Sequence, residues 1–186
     1  MTTGNVQLSL DGAVARVTIS NPRRYNAMSL AMWKQLCDII AAVNDMPDIG
    51  VVLLRGDGEK AFVSGADISE FETQRGDAES VVAHDLIVER AESALVECAK
   101  PVIACIHGIC MGGGMGIALS CDLRYAARNA KFRMPAARLG VGYAFNTGVR
   151  LLRSPHGAEP VCTRESRTRG PSVFEGNDAG FLLSRK

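Results

Sequence analysis

Cysteine pairs of the C-x-x-C type are absent from this chain, although it holds six cysteines: Cys37, Cys98, Cys105, Cys110, Cys121 and Cys162. Most of them lie in apolar runs, where a free thiol serves as a small core residue. A disulfide framework and a thiolate metal site are therefore not expected. Charge of one sign is missing too. Lys and Arg number 21 against 20 Asp and Glu, for a formal net charge of +1. Such a balance gives no long-range field to gather nucleic acid or an acidic membrane surface. No apolar run approaches the ~20 residues of a membrane span. Met1-Thr2-Thr3-Gly4-Asn5 carries no basic segment followed by an apolar stretch, so no secretory signal is expected. These absences predict a reduced, cytoplasmic protein with no nucleic-acid or membrane partner.

The remaining composition is that of a globular domain. Apolar residues make up 47% and charged residues 22% of 186 positions, which suits one domain. Val6–Leu10 and Ala13–Ser20 are β-prone, with the turn signal Asp11-Gly12 between them. Ser29 can cap a helix running to about Met46, with Leu30, Trp33, Cys37, Ile40 and Val43 on one face and Pro47 beyond its end. Val51–Leu54 reads as a buried strand. Ala61-Phe62-Val63 leads into the loop Ser64-Gly65-Ala66-Asp67. A long helix is expected from about Asp77 to Ala99, with Val81, His84, Val88, Ala91, Leu95 and Cys98 inward. Pro101–Ile106 and Asp122–Ala126 read as strands, and Gly113 opens a short apolar helix. Strands alternating with helices predict an α/β fold. Near Arg153 the composition shifts toward Arg, Pro, Ser, Thr and Gly. The chain therefore divides into a core, residues 1–152, and a divergent, irregular tail, residues 153–186. A frameshifted or truncated reading frame is the expected origin of that shift. In the tail only Gly180-Phe181-Leu182-Leu183 is expected to pack.

Two glycine-bearing loops follow strands: Phe62-Val63-Ser64-Gly65-Ala66-Asp67-Ile68 and Gly108-Ile109-Cys110-Met111-Gly112-Gly113-Gly114. Glycine permits positive φ and close approach of a ligand to the backbone. A helix starting at Gly113 leaves unpaired N–H groups at its positive dipole end. Two such donors converging on one point hold developing negative charge on an oxygen, as an oxyanion hole does. Other glycine-loop chemistries do not fit. Gly112–Gly116 does not match G-x-G-x-x-G, no G-K-[S/T] follows it, and no G-x-S-x-G occurs.

Asn21-Pro22…Asn26-Ala27-Met28-Ser29, Ala61-Phe62-x-Ser64-Gly65-Ala66-Asp67-Ile68, Lys100-Pro101-Val102-Ile103-Ala104 and Gly112-Gly113-Gly114 resemble motifs of the enoyl-CoA hydratase/isomerase (crotonase) family. So do Cys121-Asp122-Leu123-Arg124 and Phe132-x-Met134-Pro135-x-x-x-Leu139-Gly140, in family order and spacing. The resemblance covers about residues 5–152. It implies a spiral of ββα units that binds an acyl-CoA thioester. By position, the N–H groups of Ala66 and Gly113 would form the oxyanion hole. Arg24, Ala27, Ala66, Asp67 and Ile68 would border the CoA moiety. No metal or redox cofactor is implied, and coenzyme A would arrive as part of the substrate. The family's trimer or hexamer rests on a helical C-terminal region that the divergent tail does not resemble.

Two departures limit the expected chemistry. Hydratases of this family use two glutamates as acid and base on water. The positions that match them here are Gly116 and Ala136, and neither side chain can move a proton. Hydration by that route is not expected. Leu139-Gly140-Val141-Gly142-Tyr143 resembles a stretch of decarboxylating members, in which a tyrosine faces the acyl carboxylate. Tyr143 is thus a candidate for enolate formation by loss of CO₂. His84, on the inner face of the long helix, is a weaker candidate, and a hydrogen-bonded core histidine is its plainer reading. His107 is read as structural, and Asp67 and Asp122 as residues that fix loops and helix starts. The sequence leaves three readings open: an acyl-CoA-processing enzyme of the lyase or isomerase class, a non-catalytic acyl-CoA-binding protein, and an inactive fragment.

Overall fold

A computed structural model describes residues 4–67, 69, 78–134 and 162–163. Strands β1 (Asn5–Asp11) and β2 (Val14–Ser20) form an antiparallel hairpin in which Asp11 pairs with Val14. Gly12, at φ 57°, takes the left-handed turn between them, as Asp-Gly predicts. A 3-10 turn, Pro22–Arg24, follows. Helix α1 (Leu30–Asn44) starts at Ser29, whose side chain accepts a hydrogen bond from the Met32 N–H. Then come β3 (Val51–Gly56), β4 (Ala61–Val63) and helix α2 (Ala78–Val96). Strands β5 (Val102–Ile106) and β6 (Ile109–Met111) lead into helix α3 (Gly113–Ser120). Strands β7 (Leu123–Ala126), β8 (Lys131–Arg133) and the two-residue β9 (Cys162–Thr163) complete the described elements.

The strands sort into two sheets. One holds β1-β2-β3-β5-β7-β9, parallel from β2 onward; the other holds β4-β6-β8, also parallel. The pairs β3-β4, β5-β6 and β7-β8 each give their first strand to the large sheet and their second to the small one, whereas β1 and β2 both lie in the large sheet. A helix follows in the units that end in α2 and α3. This is the ββα repeat that the family resemblance implies. In β2 and β5 alternate side chains face the core: Ala15, Val17 and Ile19, then Val102, Ala104 and Ile106, are buried. Helix α1 covers that face with Met32, Trp33, Leu36, Ile40 and Val43, all fully buried.

The structure departs from the sequence reading in three places. Ile109-Cys110-Met111, read as part of a glycine-rich turn, is strand β6. Cys110 points inward and its neighbours are half-buried, an alternation too short to stand out among the glycines. On α1, Leu30 and Cys37 are only partly buried, and Met32 and Leu36 take the core positions. The apolar stripe is rotated because β1 and β2 cover one side of the helix and α2 the other. Within the segment read as an irregular tail, Cys162–Thr163 pair with Tyr125–Ala126. Gly180–Leu183 lie outside the described residues. No described helix is long and apolar enough to cross a membrane.

Candidate active site

Residues 21–28 and 56–67 are tied together by hydrogen bonds that few side chains other than asparagine can make. Buried Asn26 accepts from the Asn21 N–H (3.0 Å) and donates through Nδ2 to the carbonyls of Asp57 (2.9 Å) and Ala61 (2.8 Å). Asn21 Nδ2 donates to the Ala27 carbonyl at 2.9 Å. Tyr25 and Asn26 both adopt positive φ, 53° and 57°, so the chain folds back on itself there. The backbones are then zipped together. The Ser64 N–H donates to Tyr25 O (3.1 Å), the Met28 N–H to Gly65 O (2.8 Å) and the Asp67 N–H to Met28 O (2.9 Å).

These bonds leave Ala66 at the turn, bridged to Met28 and half-buried. Gly65, at φ 122°, allows the bend that precedes it. Arg24 Nη1 hydrogen-bonds both Asp67 Oδ1 and the Ser69 hydroxyl. Asp67 Oδ1 also accepts from the Ser69 N–H (3.1 Å) and Oγ (2.8 Å). The loop-fixing role read for Asp67 is therefore what its contacts describe. Ala27 is buried and Arg24 exposed at the edge of this assembly. Ile68 lies outside the described residues.

The second wall is the start of α3. Gly112, at φ 52°, turns the chain from β6 into the helix, and its N–H is held by Arg133 O at 3.0 Å. Gly114 packs so tightly on β4 that an added Cβ would overlap the Val63 carbonyl. The loops meet at Gly113. A Cβ built there would lie 3.0 Å from the Trp33 ring and 3.8 Å from the Ala66 nitrogen, and one built on Gly65 would lie 3.9 Å from the Gly113 nitrogen. The N–H groups of Met115 and Gly116 are used on the Gly112 carbonyl, and those of Met28 and Asp67 on the adjoining loop. Among the described residues, the Ala66 and Gly113 N–H groups are not among the loop donors so engaged.

Helix α2 packs on α3. His84 is buried, as its inward placement predicts, with Nδ1 3.6 Å from Asp85 Oδ1 on its own helix. Glu92 is not among the residues that the motifs single out. Its residue is only 6% exposed, and its carboxylate faces Gly116. The signal was present: Glu92 stands four residues after Val88 and three before Leu95, within the inward stripe.

Other motif residues hold the frame. Asp122 Oδ2 accepts from the Val102 N–H at 2.7 Å and so fixes the start of β5 rather than a helix. Arg124 Nη1 donates to the carbonyls of Cys121 (2.7 Å) and Ala118 (3.3 Å), closing the C-terminal end of α3. His107 is held below its ordinary pKa by burial and by the nearby Arg55 guanidinium, so it stays neutral near pH 7. Burial pushes the Cys121 thiol up to about 12 and the Cys110 thiol higher still, which leaves both inert as nucleophiles. Among the described residues no group of three or more His, Cys, Asp or Glu is arranged to hold a metal. Ala136 and Tyr143 lie outside the described residues.

The fold so assembled is shared with solved structures. An enoyl-CoA hydratase/carnithine racemase from Magnetospirillum magneticum superposes with a TM-score of 0.77 at 40% identity, over 82% of this chain and 57% of that one. An enoyl-CoA hydratase/isomerase family protein from Hyphomonas neptunium gives 0.78 at 34% identity, over 84% and 61%. This is the crotonase fold. The enoyl-CoA hydratase/isomerase family model matches residues 9–155, and the chain belongs to that family. It is 39% identical to the short-chain-enoyl-CoA hydratase of Clostridium acetobutylicum over 82% of its own length. It is 33% identical to the mitochondrial Δ(3,5)-Δ(2,4)-dienoyl-CoA isomerase of Mus musculus over 92%. The matches cover 58% and 55% of those relatives, so the chain spans little more than half their length.

Proposed function

We propose that this chain binds an acyl-CoA thioester and stabilises the enolate of its acyl group, with the Ala66 and Gly113 N–H groups as the oxyanion hole. The observation that carries the reading is the approach of the two loops where α3 begins: a Cβ added at Gly113 would come within van der Waals contact of the Ala66 nitrogen. A thioester oxygen set between them would receive two hydrogen bonds and the positive end of the α3 dipole. The Asn26 ties and the Arg24–Asp67 pair support the reading, because they fix Ala66 before a ligand arrives. Arg24, Ala27, Asp67 and Ile68 would border the CoA moiety.

Hydration by a pair of glutamates is not part of this proposal, because the matching positions are Gly116 and Ala136. Those same residues favour a second reading, in which the chain binds acyl-CoA without turning it over. A decarboxylating version uses Tyr143 and rests on the Leu139–Tyr143 pattern alone. Purified protein unfolded thermally with millimolar acetoacetyl-CoA, and with free CoA as control, tests the proposal. A ligand at ~100 times its Kd stabilises the folded state by about 2.7 kcal/mol. The expected result is a midpoint raised by the acyl thioester beyond the rise from CoA. Equal midpoints in both would remove the oxyanion-hole reading.

A further inference from the structure

We infer that Glu92, on α2, is the proton-transfer group of this site and fills the place of the carboxylate that α3 lacks at Gly116. This rests on the oxyanion-hole reading above. A Cβ built on Gly116 would overlap Glu92 Oε1 and lie 3.1 Å from Cδ and 3.8 Å from Oε2. The carboxylate therefore occupies the space where a side chain at position 116 would begin. Gly116 has no conformational need to be glycine, since it is not among the positive-φ residues. Inside a helix glycine is less favourable than alanine. What the glycine provides is room for Glu92.

Position and burial give that room a chemical meaning. Gly116 follows Gly113 by three residues, so it lies on the same face of α3, one turn from the Gly113 N–H, at a side-chain spacing of about 5–6 Å. The Glu92 carboxylate thus lies near the carbon attached to a thioester held at Ala66 and Gly113. Glu92 is 6% exposed, so its carboxylate sits at this position away from bulk water. In the step, the ionised Glu92 removes a proton from the carbon next to the thioester carbonyl. The C–H electron pair moves into an enolate whose oxygen rests on the two N–H groups. Protonated Glu92 then returns the proton to the same carbon or, in a β,γ-unsaturated chain, to the γ carbon. No water and no redox partner is consumed.

The test uses but-3-enoyl-CoA in D₂O, with deuterium uptake and conversion to the conjugated isomer read by mass spectrometry. Acetoacetyl-CoA thermal shifts are run on every protein in parallel. Wild type is expected to deuterate the acyl chain. Glu92→Gln, which keeps the shape, should slow this by ~10²–10⁴-fold while retaining the acyl-dependent shift. The double change Glu92→Ala with Gly116→Glu returns the carboxylate from the other helix. It should regain at least ~10-fold over Glu92→Ala alone, a rescue that a merely structural role would not give. Equal exchange in wild type and Glu92→Gln overturns the inference and leaves the oxyanion hole standing. So does acyl-dependent stabilisation of wild type with no exchange. Loss of the acyl-dependent shift in wild type itself overturns both.

Discussion

Helices α1 and α2 lie against each other yet bury different chemistry. The inner face of α1 is Met32, Trp33, Leu36, Ile40 and Val43, without a polar atom beyond the Trp33 indole. The inner face of α2 buries Ala91 and Leu95 beside His84 and Glu92, while Val82, Leu86 and Val96 stand out in solvent. A helix that only had to fold would not place its acid inside and its apolar residues outside. The contrast separates two jobs. Helix α1 supplies burial, and α2 gives up part of its burial to bring a carboxylate beside α3.

Mutations can break or sharpen that contrast. The largest effect is expected at Trp33, which is fully buried and touches the start of α3. Trp33→Ala should cost about 3–5 kcal/mol in denaturant unfolding. A loss under about 1 kcal/mol would remove α1 from its role as the stabilising helix.

Next comes the α2–α3 contact. Gly116→Ala should stabilise a Glu92→Ala background by about 0.5–1 kcal/mol through helix propensity. In wild type it should be less favourable by a coupling of about 1–3 kcal/mol, because its Cβ displaces the carboxylate. Additive effects would mean that Glu92 does not hold that space. Ser29→Ala removes the side-chain cap of α1 and should cost about 1 kcal/mol. The smallest change is expected at Leu86, 59% exposed. Leu86→Ser should stay within about 0.5 kcal/mol, since most of the residue already lies in water. A larger loss would show that α2 is packed on its outer face as well.

The strands and helices that the sequence announces are those with a long period or a clear cap. The β1–β2 hairpin follows from Asp11-Gly12, α1 from Ser29 and its apolar stripe, and β3 and β5 from their unbroken Val, Ile and Leu runs. Strands β6 and β8 stay hidden because three residues cannot display a period. Their partners, β4 among them, are also distant in the chain. Of the candidate site, the two glycine loops are legible because backbone donors need glycine and a helix start, and both leave marks in sequence. The Asn26 ties are not legible. Their acceptors are main-chain carbonyls 31 and 35 residues away, which carry no signature of their own. Glu92 was visible in the stripe of α2, but a charged residue there reads as an interruption until the opposing Gly116 is known.

The order of the large sheet has a further consequence, for synthesis. From β1 through β2, β3, β5 and β7 its strands lie side by side in the order in which the chain is made. Each new strand can add to the edge left by the one before it, without threading between strands already paired. Until the next unit emerges, that edge is bare: first Val51–Leu54, then Val102–Ile106. Both are apolar segments with open backbone groups, the kind that pair with another chain when left uncovered. The Ala66 loop is held by residues 21–28 early in this sequence, whereas Gly113 joins it only after β5 and β6 have docked. On the growing chain, half of the cradle waits for the other, and the interval is the one in which the nascent protein is most exposed to its neighbours.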